Sequence, residues 1–161
     1  MHIFPRLVLL LSLLLTTQLL LAADVYDVNA DARQDISHAL ASSAADGKLV
    51  MLQFGANWCR DCLVLAAQFA QQPLKGLLEE NFHVVKVDIG DEYEKNQDIQ
   101  SRYNNATEYG IPTIIVLDKD DNILLGTLTG ELANARRMGK HDVYKFFQDV
   151  VTNARKTAGS N

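Results

Sequence analysis

The chain has 161 residues, 48% of them hydrophobic and 22% charged, with a formal net charge of −5. That length suits one domain around one core, and an acidic balance with no long basic run excludes nucleic acid as an expected partner. Its two cysteines, Cys59 and Cys62, sit too close together to form a disulfide scaffold, whose bridges close long loops.

Arg6 gives a short positive flank to Leu7–Leu21, an apolar run interrupted by Ser12, Thr16, Thr17 and Gln18. Ala22 and Ala23 then precede polar sequence from Asp24. This is the order of a secretory signal, so residues 1–23 are expected to be a cleaved signal peptide. The product is expected to be exported, periplasmic in a Gram-negative bacterium and otherwise secreted. The alternative is an uncleaved anchor, although the run is shorter than the roughly 20 apolar residues of a spanning helix. Residues 24–33 are polar and patternless and read as an N-terminal extension to a domain over 34–153.

Ile36, Ala39, Leu40 and Ser43 recur at helical spacing over Gln34–Ala45, and Asp46-Gly47 ends that helix. Leu49–Phe54 reads as a strand buried on both faces. Cys59 opens a second helix, which Pro73 should kink or restart. Phe82–Ile89 reads as a second buried strand through Val84, Val85, Val87 and Ile89. A helix is expected around Lys95–Tyr103. Strand Ile114–Leu117 and strand Ile123–Leu128 flank a turn over Asp118–Asn122. A loop over Gly130–Lys140 leads to a closing helix, His141–Val151, and residues 154–161 should fray. Two strand-helix-strand steps imply parallel pairing and the last strand pair an antiparallel hairpin. The expected fold class is α/β, a mixed parallel and antiparallel sheet with helices on both faces.

The chemistry resides in Cys59-Arg60-Asp61-Cys62. A cysteine at a helix N-terminus has its thiolate, the reactive form, favoured by unpaired N–H groups and the helix dipole. A second cysteine one turn on is placed to attack a mixed disulfide held on the first. Cys59 is therefore expected to be the exposed nucleophile and Cys62 the more buried resolving thiol. Half a zinc site is the competing reading. It lacks ligands, because His38, His83 and His141 are scattered and a structural zinc takes four. Asp118, Asp120 and Asn122 mimic a calcium loop, but Ile123 stands where glycine is required and Thr129 where glutamate is. No metal and no cofactor beyond the cysteine pair is expected.

The run Phe54-Gly55-Ala56-Asn57-Trp58-Cys59-Arg60-Asp61-Cys62 resembles the active-site segment of the thioredoxin family, and Ile111-Pro112-Thr113 resembles that family's cis-proline loop. The resemblance spans about Gln34–Val151. It implies a thioredoxin fold and a pair that cycles between dithiol and disulfide against protein substrates. It further implies a substrate groove formed by Trp58, Ile111, Pro112 and Gly130, and a lysine beneath the site, Lys86. Two departures bear on the tuning of the thiols. Arg60 should favour the Cys59 thiolate while Asp61 opposes it. Gln53 stands where the family keeps a buried acid, and an amide cannot act as a base. The balance, with Ile111 before the proline, implies a reducing or isomerising protein with a potential of about −200 to −270 mV. Such a protein, acting as a monomer in an oxidising compartment, needs a donor, for which a membrane thiol reductase is expected. The alternatives are a non-enzymatic binding module of the same fold and a peroxide- or metal-handling thiol protein.

Overall fold

A computed structural model of the chain describes residues 24–159. The expected signal peptide, residues 1–23, lies outside them, as do the last two positions of the expected frayed tail. Helix α1, Ala32–Asp46, starts because the Asp31 carboxylate accepts the N–H groups of Arg33 and Gln34. It stops at Gly47, whose φ of 76° is left-handed and whose N–H returns to Ser43 O. Strand β1, Leu49–Gly55, is buried along its whole length. Cys59 caps helix α2, Arg60–Phe69. As expected, Pro73 separates it from a new helix, α3, Leu74–Asn81. Then follow β2 (Phe82–Asp88), α4 (Gln97–Arg102), β3 (Thr113–Leu117), β4 (Ile123–Gly126) and α5 (Lys140–Ala158).

The strands form one open sheet in the order β2-β1-β3-β4. Strand β1 runs parallel to β2, with Gln53 opposite Lys86, and antiparallel to β3, with Phe54 opposite Thr113. Helices cover both faces. Ile36 and Ala39 of α1 and Ile99 of α4 share a core with Val50, Leu52, Val85 and Val87. Leu65 of α2, Leu74 and Leu78 of α3 and Val143, Phe147 and Val150 of α5 share the other with Met51, Ile114 and Val116. Each fully buried large side chain in these clusters contributes about 1.5–3 kcal/mol of burial free energy. The mixed sheet with helices on both faces is the fold class expected from the sequence.

Four expectations at the level of elements are corrected. First, only one strand-helix-strand step is parallel. Strand β3 enters from the end of the sheet where β2 left and runs antiparallel to β1. Second, β2 is an edge strand, and Val84 and Lys86 are exposed rather than buried. Third, the chain does not fray after Asn153: α5 continues to Ala158 because Ala154 is fully buried against the second core. Fourth, the segment before α1 packs into the domain rather than lying outside it. Tyr26 is fully buried in the first core, its backbone is held in a reciprocal pair with the Asn57 side chain, and Lys95 Nζ donates to Val28 O at 2.8 Å.

Candidate active site

The C-terminal ends of β1 and β2 and the start of β3 meet at one end of the sheet, and the cysteine pair is held there. Cys59 is the N-cap of α2, with extended backbone (φ −79°, ψ 105°). Its Sγ accepts the Cys62 N–H at 3.1 Å, so one orphan donor of the helix terminus points at the sulfur. Cys59 and Cys62 are joined as a disulfide. Cys62 is fully buried and Cys59 retains 7% exposure. The sense of the expected difference holds, but Cys59 is more covered than expected. The Ile111 carbonyl oxygen lies 3.7 Å from its sulfur.

Of the residues expected to form a groove, Ile111 lies beside Cys59. The Ile111–Pro112 peptide bond is cis, and Thr113, next along, opens β3. Gly130, with φ of +80°, packs against the preceding loop so closely that a Cβ there would lie 3.0 Å from Tyr109 O. Trp58 is 47% exposed. Its Nε1–H donates to Gly90 O at 2.9 Å, and its ring meets that of Tyr93 with centroids 5.9 Å apart. Tyr109, which sequence reasoning did not single out, is 63% exposed, two residues before Ile111.

The residues expected to tune the thiols are placed differently from one another. Arg60 is exposed at the start of α2. Asp61 is buried, and its carboxylate accepts both the backbone N–H and Nη1–H of Arg136 at 2.8 Å. The loop over 127–139 is thereby pinned to the helix carrying the cysteines. Asp61 thus has Arg136 as its ion-pair partner. Gln53 is fully buried on β1. Lys86 lies opposite it in register, but its side chain reaches the surface groove lined by Asp24, Asp27 and His38. Partial burial lowers its pKa from the ordinary lysine value. Among the described residues no group of three or more His, Cys, Asp and Glu is disposed to hold a metal ion.

Tyr26 is the residue that sequence reasoning missed. A Cβ built on Gly55 would run into Tyr26 Oη and lie 2.9 Å from Cys62 Sγ. The hydroxyl and the sulfur therefore flank the same bare Cα, which explains why this position is glycine. Burial pushes the Tyr26 phenol far above its ordinary range, the nearby Gln53 amide only partly opposing it and the Asp88 charge adding to it.

A family model described as thioredoxin-like matches residues 31–119. A solved structure from Xylella fastidiosa Temecula1, described as a disulphide isomerase, is 37% identical over 78% of this chain and 95% of its own, with a TM-score of 0.75. The C-terminal domain of DsbD from Neisseria meningitidis, in its oxidised form, shares the fold at 20% identity, covering 77% of this chain and 97% of its own with a TM-score of 0.54. The chloroplastic thioredoxin-like protein CITRX2 of Nicotiana benthamiana is 33% identical over 73 residues, 45% of this chain. The match spans about a third of that relative's length, 35%.

Proposed function

This chain belongs to the thioredoxin-like family, and on that premise we propose that it exchanges disulfides with protein substrates through Cys59 and Cys62, in the reducing or isomerising direction. One observation carries the reading: a cysteine pair bridged at a helix N-terminus, of which only Cys59 reaches the surface. In the reduced protein the Cys59 thiolate attacks a partner disulfide. One partner sulfur leaves as a thiolate, and a mixed disulfide forms on Cys59. Cys62 then attacks Cys59 Sγ, the mixed disulfide breaks, and the partner's second sulfur leaves. Two electrons pass to the partner, and the chain is left as the disulfide described above.

The Ile111 carbonyl, 3.7 Å from Cys59 Sγ, offers an extended partner chain a backbone acceptor beside the reacting sulfur. Exposed Trp58 and Tyr109, close in sequence to Cys59 and Ile111, supply apolar surface. The neighbour from Xylella, described as a disulphide isomerase, supports a reducing or isomerising direction. Return to the dithiol needs an electron donor, and a membrane thiol reductase fits an exported protein. Export is proposed from the order of residues 1–23 alone. Protein recovered after secretion should begin at Asp24, and an intact N-terminus would replace export in soluble form with anchoring.

Mixed-disulfide trapping tests the roles. The Cys62→Ser variant should accumulate partner proteins on Cys59, released by reductant, whereas Cys59→Ser should trap none. Adducts on the Cys59→Ser variant would reverse the assignment, and none on either variant would favour a binding module.

A further inference from the structure

The buried surroundings of Cys62 hold a donor that the bridged state leaves unused. Tyr26 Oη and both polar atoms of the Gln53 amide are buried with no hydrogen-bond partner among the described residues. An unpaired hydroxyl in a core needs an explanation, because most such groups find partners. This one is held in place: the Tyr26 N–H donates to Asn57 Oδ1 at 2.9 Å and Asn57 Nδ2 donates back to Tyr26 O at 2.8 Å. Asn57 lies two residues before Cys59, so the loop that leads into the cysteine pair also fixes Tyr26. The ring ends where Gly55, lacking a side chain, lets Oη approach Cys62 Sγ. A bridged sulfur is a weak acceptor and a thiolate a strong one.

We propose that Tyr26 is a positioning residue for the resolving step, its hydroxyl donating a hydrogen bond to the Cys62 thiolate when the pair is reduced or held as a mixed disulfide. The inference rests on the exchange reading above and assigns part of its second step. The Cys62 proton leaves, ultimately to the departing partner thiolate. The Cys62 electron pair forms the bond to Cys59 Sγ, and the Cys59–partner bond breaks. Tyr26 keeps its own proton throughout. Burial holds the phenol protonated well above its ordinary range, which suits a donor and excludes a base. Gln53, fully buried where a carboxylate would serve as base, leaves the thiolate to be favoured by donation instead.

The other charges around this pocket are already engaged. Asp61 is bonded to Arg136. Asp88, at the end of β2, is paired with Lys95 at 3.1 Å. Arg60 is exposed, and Cys59 is the reacting partner itself.

The test compares Tyr26 with Tyr26→Phe, which keeps the ring that fills the core. Cys62 is titrated by its ultraviolet thiolate absorbance in a Cys59→Ala background, and the decay of a preformed mixed disulfide on Cys59 is followed in the otherwise unaltered chain. Loss of a charge-assisted hydrogen bond should raise the Cys62 titration midpoint by about one pH unit, or about tenfold less thiolate below it. Resolution should slow by a similar factor, while the first attack by Cys59 keeps its rate. A ring-fluorinated tyrosine at the same position, a stronger donor of nearly the same shape, should shift both readouts the other way. It also serves if Tyr26→Phe does not fold. Unchanged midpoint and unchanged resolution would overturn the proposal. The Cys62 midpoint is read without any protein substrate, so failure of the exchange reading itself would show separately, as no mixed disulfide with protein partners in the parent chain.

Discussion

Replacing Asp61 by alanine should do two things that an exposed aspartate between two cysteines would not. Its buried carboxylate holds Arg136 through two hydrogen bonds, so its loss frees the turn at Ala135–Arg137 and leaves the part-buried Arg136 N–H without that acceptor. Arg136 is half exposed, which limits the cost to about 1–3 kcal/mol. Arg136 would also keep its charge beside α2 with no carboxylate to absorb it, shifting the reduced Cys59 further toward thiolate. Thermal melting and a thiolate titration of the reduced variant check the two effects. An unchanged melting temperature would mean that the clamp does not hold the loop in solution. The cysteines, Trp58 and Pro112 were legible in the sequence because each lies in a short contiguous motif, Trp58-Cys59-Arg60-Asp61-Cys62 or Ile111-Pro112-Thr113. The Asp61–Arg136 pair was not, because its partners are 75 residues apart and nothing in either neighbourhood points to the other.

At the scale of elements, the β3–β4 hairpin depends on its turn. Asp118 accepts hydrogen bonds from the N–H of Asp120 and from the N–H and side-chain amide of Asn122, each at 2.9 Å. Partial burial pushes its carboxyl up, but these hydrogen bonds and the nearby Lys119 together hold it below the ordinary carboxylate range. A lowered native pKa stabilises the fold above the unfolded-state value, and that stabilisation is lost as pH falls through the native one. Asp118→Ala should therefore cost about 1–2 kcal/mol at neutral pH. The gap to the parent chain should shrink below about pH 4, as read by denaturant melts across that range. A gap independent of pH would assign the effect to packing.

Asp118, Asp120 and Asn122, whose spacing mimics a calcium loop, thus form the turn expected between the two strands. The segment before α1 escaped the sequence reading for the opposite reason. One buried aromatic, Tyr26, anchors it, and Val25, Tyr26 and Val28 among polar residues make too short a run to carry a period. The direction of β3 escaped because nothing in the polar stretch between β2 and β3 marks the end of the sheet at which the chain re-enters.

For the whole molecule, strand and helix periodicity made the layered sheet legible, and the motif located its functional end. Electrostatic tuning depends on contacts between distant segments and did not follow from the motif alone. With Asp61 engaged by Arg136, Arg60 acts on Cys59 with less opposition than its neighbour suggests. The potential should then lie toward the oxidising side of the expected window, near −200 mV rather than about −270 mV. Equilibrating the Cys59–Cys62 pair with glutathione buffers, read by Trp58 fluorescence and thiol alkylation, measures this directly. A reversible two-electron transition between about −200 and −270 mV is the predicted result. A potential above about −150 mV would make the chain a disulfide donor, and a pair that does not titrate reversibly would contradict an exchange function altogether.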